Sequence, residues 1–197
     1  MGPGANTALG GGHQHETPRI LIIRLSAIGD VVMASGLVPA LRSRWPQAYV
    51  AWMVEPAVVP LLTHNPRVNE LIVWPRAEWR QLWRERRLIT LAQRMLALRR
   101  TLRDGRFDLV LDLQGLLKSA VWSWLSGAPR RICLIGREGS HWLATERVIP
   151  PPQGPSKRMG NEYRHLARHL GAAEEAFQPD LAIAASARDA AREAVRA

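Results

Sequence analysis

The stretch that decides the fold is residues 19–38, which read RILIIRLSAIGDVVMASGLV. Its aliphatic run at residues 20–23 predicts a central parallel strand, because such strands are covered by helices on both faces. A loop of small residues follows at 26–30, and apolar residues then recur at helical spacing between Val31 and Leu41. Strand, short loop and helix in this order indicate the first unit of an open α/β sheet.

Asp30 stands where this loop meets the helix, at the sheet edge where open α/β folds bind ligands. One interpretation is an N-cap, in which the carboxylate accepts hydrogen bonds from the free N–H groups of the first helical turn. The other is a general base at the ligand-binding edge. The local chemistry favours the cap, because caps are common and catalytic bases are few. The loop has neither the glycine pattern of a dinucleotide site nor that of a Walker loop.

Four further strands are predicted to alternate with helices, at residues 49–54, 70–73, 107–113 and 131–135. The predicted fold class is therefore α/β, with one open, mostly parallel, Rossmann-like sheet and helices on both faces. Residues 1–18 are polar and rich in glycine, and lack the apolar core of a secretory signal. They are predicted to form a disordered tail. No apolar stretch has the length of a transmembrane helix.

The composition indicates a globular protein with anionic partners. The chain has 197 residues, 47% of them apolar, and a net charge of +10. Arginine supplies most of that charge, which points to nucleic acid, an acidic membrane surface or a phosphorylated substrate. The single cysteine, Cys133, excludes an intramolecular disulfide, and no Cys/His spacing is typical of a zinc site.

A second motif, DLQGLLKS, occupies residues 112–119 and follows the predicted strand at 107–113. A glycine such as Gly115 in a strand-to-helix turn lets the backbone approach a ligand closely. Lys118 falls in the first helical turn, where a cation opposes the helix dipole. Two interpretations of Lys118 remain open: a structural pair with Asp112, and direct contact with an anionic ligand.

Residues 74–87 are dense in tryptophan and arginine. One interpretation is a solvated basic helix whose tryptophans pack underneath it. The other is a platform for an anionic, amphipathic ligand, because arginine binds phosphate or carboxylate in a fork and tryptophan covers apolar or sugar faces. Nucleic acid is a rival ligand for the same charge, but no known reading module accompanies it, so no nucleic-acid partner is predicted.

The two motifs together resemble the ADP-heptose:lipopolysaccharide heptosyltransferases, family nine of the glycosyltransferases. Members begin with a strand, a Ser-x-x-Gly-Asp-Val loop and a helix, and the segment ILIIRLSAIGDVV at residues 20–32 resembles this pattern. The family's second pattern, Asp-x-Gln-Gly-x-x-Lys-Ser, is similar to residues 112–119. Both motifs occur in the family's order, about one small α/β half-domain apart.

The resemblance implies the N-terminal half of a two-domain GT-B glycosyltransferase, which moves heptose from ADP-heptose to an acidic lipopolysaccharide core acceptor by inverting transfer. Asp30 would be the catalytic base, and no metal or cofactor is implied. The resemblance also implies a set of acceptor-binding residues, namely Ser26, Gly29, Arg80, Gln114, Lys118 and Arg137.

The chain departs from the family pattern at one of these places. Relatives have a Trp-Arg-Lys cluster where this chain has Trp79-Arg80-Gln81, so Arg80 is the expected contact. An Arg-Glu pair near the acceptor corresponds to Arg137 and Glu138, with Glu138 orienting the arginine. The alternative for this pair is a surface salt bridge of little energetic value.

The resemblance also implies a domain organisation. Residues 19–177 would form the acceptor domain, and 178–197 a linker helix toward a missing domain that holds most of the nucleotide sugar. The chain alone is therefore expected to be inactive. The expected location is the cytoplasm, with the inner-membrane surface as a peripheral partner. The rival from another class is a non-catalytic module or truncated fragment that binds anionic glycolipid.

Overall fold

The computed structural model describes residues 17–152 and 160–182. Six parallel strands form one sheet in the order β3-β2-β1-β4-β5-β6. The strands are β1 (Arg19–Ile23), β2 (Tyr49–Val54), β3 (Glu70–Val73), β4 (Leu109–Asp112), β5 (Arg130–Leu134) and β6 (Glu146–Val148). The helices are α1 (Ile28–Ala34), α2 (Leu37–Arg44), α3 (Val59–Leu62), α4 (Arg76–Arg84), α5 (Leu88–Asp104), α6 (Leu117–Ser126) and α7 (Asn161–His169). Short 3-10 helices lie at Pro56–Val58, Ser140–Leu143 and Glu174–Ala176.

Strand β1 is the centre of the molecule, because it pairs with β2 on one side and β4 on the other. Ile20 and Ile22 are fully buried in a core that includes side chains of α1, α2 and α7. Leu21 and Ile23 point the other way, into a core that includes side chains of α4, α5 and α6. A strand covered on both faces needs a continuous apolar run, and the predicted α/β class and central strand are confirmed.

The order of the strands places a ligand site between β1 and β4. The chain winds outward from β1 to β3, crosses back to β4 through α4 and α5, and then winds the other way. The loops that follow β1 and β4 therefore diverge at the carboxyl edge of the sheet. Doubly wound folds bind ligands at such a switch point.

The helix predicted after the first loop is two helices, with a break at Ser35 and Gly36. The Ser35 hydroxyl donates to the Val32 carbonyl and accepts the N–H of Asp180. A Cβ on Gly36 would lie 2.9 Å from the ring of Phe177. The break therefore lets the segment around residues 177–180 dock against the first core.

Two other predictions differ from the structure. Strand β6 was not predicted, because three residues are too few to show a periodicity. The predicted strand at 107–113 is shorter, with β4 covering only Leu109–Asp112. Most of the predicted tail and of the linker helix lie outside the described residues. Among the helices of residues 17–152 and 160–182, none combines the length and apolarity that crossing a bilayer requires.

We predict that Gly36→Ala lowers the free energy of unfolding by about 1–3 kcal/mol, because the new methyl group overpacks the site against the Phe177 ring. Gly29→Ala is the matched control, since a Cβ there meets no atom within 4 Å. Alanine should stabilise that helical position by up to about 1 kcal/mol. Urea unfolding of both variants measures the difference. Equal stability of the two would show that Gly36 does not hold the Phe177 segment.

Candidate functional site

A cleft of about 290 Å³ lies at the carboxyl edge of the sheet, beyond β1, β4 and β5. Helix α7 contributes to its lining from the other side. The lining residues are Arg24, Asp30, Leu113, Gln114, Gly115, Leu116, Leu134, Ile135, Arg137, Glu162 and Tyr163. The cleft thus brings together three of the residues predicted from the sequence, which are Asp30, Gln114 and Arg137.

Arg24, the residue that follows β1, organises the cleft and was missed in the sequence analysis. Its guanidinium is buried and ion-paired with the Asp30 carboxylate. Its Nη1 donates a hydrogen bond of 2.8 Å to the carbonyl of Leu113, beyond β4. The indole of Trp52 donates to the carbonyl of Arg24 at 3.3 Å. An arginine inside an otherwise aliphatic run was the available signal, because a charge at a buried position needs a partner.

Asp30 is only partly covered by this pairing. Its side chain keeps 42% of its surface exposed, whereas that of Arg24 keeps 11%. The carboxylate can therefore meet a ligand in the cleft while Arg24 holds it in place. Asp30 is not an N-cap: the N-cap of α1 is Ala27, which forms no side-chain hydrogen bond, and Asp30 is the third residue of the helix. The cap interpretation is wrong because the buried guanidinium engages the carboxylate instead.

Asp112 is buried at the end of β4 and holds the next loop in shape. Its Oδ1 accepts the N–H groups of Gln114 and Gly115 at 3.1 Å, and its Oδ2 accepts the Ser119 hydroxyl at 3.0 Å. Burial raises the pKa of Asp112 to about 6, against the opposing effect of these hydrogen bonds and of Arg24. The aspartate and serine of the second motif are thus structural partners.

No ion pair joins Asp112 to Lys118, although both lie in the described part of the chain, so that interpretation of the motif is wrong. The Ser119 hydroxyl donates a hydrogen bond to the Asp112 carboxylate instead. Burial and the nearby Arg76 lower the pKa of Lys118, while Glu55 and Glu138 raise it. Lys118 is the second residue of α6, next to the loop that follows β4, although it is not among the lining residues of the cleft.

Gly115 ties the loops of β4 and β5 together. Its φ is +62°, and a Cβ there would lie 2.6 Å from the carbonyl oxygen of Leu134, so only glycine fits. Its own carbonyl accepts the N–H of Arg137 at 2.7 Å and the Ser140 hydroxyl at 2.9 Å. The backbone of Arg137 is thereby fixed at the cleft.

Gln114 ties the β4 loop to the β1 loop. Its Oε1 accepts the N–H of Leu25 at 3.2 Å. A contact between Gln114 and a ligand would therefore use Nε2. Arg137 and Glu138 are both exposed, and within the described part of the chain no ion pair or side-chain hydrogen bond joins them. The surface salt-bridge interpretation is therefore wrong, and so is the orienting role expected of Glu138. Arg137 lines the cleft with its charge free of Glu138.

The remaining predicted residues lie outside the lining of the cleft. Ser26 is half-buried in the β1–α1 loop, and Gly29 is exposed in the first turn of α1. Arg80 is exposed on α4, beyond the edge strand β3. Trp79, beside it, is buried and packs edge to face on Trp74 and Trp122, with ring centroids 5.6–6.1 Å apart. In this segment Trp74 and Trp79 are therefore buried in the core, whereas Trp83 is exposed.

Tyr163 and Glu162 were also missed as cleft residues. Both come from α7 and line the cleft opposite the strand ends. Tyr163 is buried, and burial raises its pKa to about 12, with Asp30 and Glu162 acting in the same direction and Arg24 against it. In the sequence Tyr163 reads as an ordinary core position of an amphipathic helix. Only the three-dimensional packing of α7 shows that it faces Asp30.

The profile of glycosyltransferase family 9 (heptosyltransferase) matches residues 95–197, more than half of the chain. The chain belongs to glycosyltransferase family 9. Lipopolysaccharide heptosyltransferase 2 of Escherichia coli (strain K12) is 34% identical over 153 residues, which are 78% of this chain and 41% of that protein. The lipopolysaccharide core heptosyltransferase OpsX of Haemophilus influenzae is 27% identical over 172 residues, covering 85% and 45%.

Solved heptosyltransferases share the fold. The structure of E. coli ADP-heptose lps heptosyltransferase II superposes with a TM-score of 0.60 at 26% identity, covering 85% of this chain and 47% of that chain. E. coli heptosyltransferase WaaC with ADP-2-deoxy-2-fluoro heptose gives a TM-score of 0.67 at 23% identity, covering 82% and 51%. This family 9 chain thus spans about half the length of the relatives that it matches, and the resemblance stated from its motifs is confirmed.

We predict that Asp112 makes the stability of this family 9 chain fall as the pH rises from about 4 to about 6. The pKa of Asp112 is higher in the folded protein than in the unfolded chain, so the folded state binds the extra proton in that window. The difference between the folded and unfolded pKa values corresponds to about 3 kcal/mol of folding free energy, which is present below about pH 4 and lost above about pH 6. Asp112→Asn removes this component, and unfolding free energies at a series of pH values measure it. An unchanged pH slope in Asp112→Asn would contradict the assignment.

Proposed function

We propose that this chain is the acceptor-binding half of a heptosyltransferase, which transfers heptose from ADP-heptose to an acidic lipopolysaccharide core acceptor with inversion at the anomeric carbon. Membership of glycosyltransferase family 9 and the names of its relatives support this reaction class. The observation that supports the site is the partly exposed Asp30 carboxylate, held by a buried arginine in a cleft at the switch point of the sheet.

In the proposed reaction, Asp30 accepts the proton of one acceptor hydroxyl. That oxygen forms a bond to the anomeric carbon of heptose as the bond to the diphosphate breaks, and ADP leaves on the opposite face with the electron pair. Arg24 is a positioning residue: it fixes the carboxylate that receives the proton and does not itself touch the sugar. The Leu113 contact of Arg24 sets that position relative to β4.

The acceptor is proposed to bind through its acidic groups. Arg137 reaches the cleft from the β5 loop, and a guanidinium pairs with carboxylate or phosphate in a fork. Gln114 would donate through Nε2. Lys118, Ser26, Gly29 and Arg80 complete the proposed set from the surrounding loops and from α4.

The donor is proposed to bind mainly outside this chain. Residues 19–177 are the proposed acceptor domain, and 178–197 a proposed linker helix toward a second domain that holds ADP-heptose; no metal or cofactor takes part. The alternative is a non-catalytic module or fragment that binds anionic glycolipid without turnover. Incubation of the chain with ADP-heptose and deacylated acceptor, followed by mass spectrometry, should give no product heavier by one heptose.

We also propose a cytoplasmic location at the inner membrane, where a lipid-borne acceptor would be met. The net charge of +10 supports contact with an acidic lipid surface. No nucleic-acid partner is proposed.

We predict that Asp30→Asn lowers turnover by about two to four orders of magnitude, because an amide cannot accept the hydroxyl proton. The assay uses this chain joined to the C-terminal half of the E. coli heptosyltransferase 2 and measures the heptosylated product. Asp104→Asn, at the end of α5 near the opposite edge of the sheet, is the matched control and should keep full turnover. Normal turnover of Asp30→Asn would leave the carboxylate with a structural role only.

We predict that Arg137→Ala weakens binding of the deacylated acceptor several-fold, and more at low salt than at high salt, because exposed charge pairs are screened. Calorimetry with the chain alone measures this. Arg99→Ala, an exposed arginine on α5, should leave binding unchanged. The same titration with Arg80→Ala decides whether α4 takes part in the site. Binding that is insensitive to Arg137→Ala would remove the proposed acceptor contact.

A further inference from the structure

The turn between α4 and α5 exposes three large apolar side chains together. We call residues 83–89 the α4–α5 tip. Trp83 is 65% exposed, Leu88 51% and Ile89 79%. Met95 and Leu96, about two turns further along α5, are also exposed at 42% and 49%. Single exposed apolar residues are ordinary, but a contiguous group of them marks an interaction surface.

The same region is strongly basic. Residues 76–106 contain ten arginines and three acidic residues, a net charge of +7, while the whole chain has +10. Within the tip, Arg84, Arg86 and Arg87 are exposed and lie in the sequence between Trp83 and Leu88. The one acidic residue there, Glu85, lies 3.7 Å from Arg87. Most of the basic excess of the protein therefore lies on one helical hairpin.

The tip extends beyond the edge of the sheet that holds the cleft. The first residue of α4, Arg76, lies 3.9 Å from Glu55, which follows β2 at the carboxyl edge. Glu78, half a turn further, is 4.0 Å from Arg94 of α5. At the other end of α5, the Gly105 carbonyl accepts the side chain of Arg19, the first residue of β1.

These contacts give the reach of the hairpin. Residues 94–104 of α5 rise about 15 Å, close to the length of the five-residue strand β1. The six residues of α5 that precede Arg94 add about 9 Å of helix on the side of Arg94 away from Gly105. The α4–α5 tip and the Asp30 cleft therefore lie at the same end of the sheet, where the strands have their carboxyl ends.

We propose that the α4–α5 tip docks into an anionic lipid surface, with Trp83, Leu88 and Ile89 entering the headgroup region and the arginines contacting acidic headgroups. Apolar side chains flanked by arginine bind such surfaces by partial burial together with electrostatic attraction. This proposal rests on the proposed function, since it places the cleft next to the surface in which a lipid-borne acceptor is anchored.

Charge favours a lipid surface over a second copy of this chain. In a two-fold dimer through this face, the same patch would meet itself, and the arginines around the two tips would repel one another. An anionic bilayer supplies the opposite charge to every arginine at once. The exposed arginines of the tip also have long aliphatic stems, which can lie along an apolar boundary while the charge stays in the headgroup layer.

The test is flotation of the purified chain with vesicles made of equal parts of phosphatidylcholine and phosphatidylglycerol. The chain should float with these vesicles, should not float with phosphatidylcholine alone, and should dissociate at high salt. Ile89→Ser should weaken binding about tenfold, because it removes one of the inserted side chains. Ile149→Ser, the same change at an exposed isoleucine after β6, is the matched control and should bind as the unsubstituted chain does.

Two further pairs separate charge and insertion. Arg86→Gln with Arg87→Gln should weaken binding about tenfold or more, whereas Arg99→Gln with Arg100→Gln, toward the other end of α5, should have a much smaller effect. Brominated lipid should quench tryptophan fluorescence of the chain. Trp83→Phe should remove that quenching, and Trp124→Phe, an exposed tryptophan near the end of α6, should not.

The outcomes also separate this proposal from the proposed function. Ile89→Ser should leave binding of the deacylated, soluble acceptor unchanged, while Arg137→Ala should weaken that binding and leave flotation unchanged. Absence of flotation, or equal flotation of the Ile89→Ser and Ile149→Ser variants, would overturn the docking surface without touching the cleft. Sedimentation equilibrium in which Ile89→Ser abolishes self-association would also overturn it and assign the tip to contact between copies.

Discussion

The site depends on one buried interaction, the contact of the Arg24 guanidinium with Asp30 on one side and with the Leu113 carbonyl on the other. Taking a charge out of water is costly, so Arg24 stays buried only while both partners are in place. The cation therefore holds the loops after β1 and β4 at a fixed distance. Its Nε is buried without a hydrogen-bond partner in the described part of the chain, which leaves the pairing with Asp30 as its main electrostatic compensation.

Two carboxylates near this guanidinium have different tasks because their surroundings differ. Asp112 is buried, and burial raises its pKa. Its carboxylate accepts hydrogen bonds from two backbone N–H groups and one hydroxyl, so it fixes the shape of the loop after β4. Asp30 has one strong partner and an exposed remainder, so it can meet a ligand. The two sequence motifs, each with one of these aspartates, do not show which of the two is enclosed. The burial of each carboxylate and the number of hydrogen-bond donors around it distinguish the two aspartates.

Much of the fold follows from the sequence, because β1 is aliphatic on both faces and the later strands alternate with helices. The two motifs also predicted Asp30 and Gln114 as site residues, and the Arg-Glu pair of the family predicted Arg137; all three line the cleft. The break at Ser35 and Gly36 was beyond reach, because its cause is contact with the distant residues 177–180. The roles of Arg24 and Tyr163 were missed for a similar reason: each side chain is defined by partners on other elements. The predicted pairing of Asp112 with Lys118 is wrong because the Ser119 hydroxyl donates its hydrogen bond to the same carboxylate.

The central claim is that an acidic acceptor binds in the cleft with one hydroxyl at Asp30. A crystal structure of the chain soaked with deacylated lipopolysaccharide core tests it most directly. The account predicts a sugar hydroxyl within hydrogen-bond distance of the Asp30 carboxylate, about 2.5–3.0 Å, with Arg24 still paired to the other side of that carboxylate. An acceptor bound elsewhere on the sheet edge, with the Asp30 carboxylate facing solvent, would contradict it.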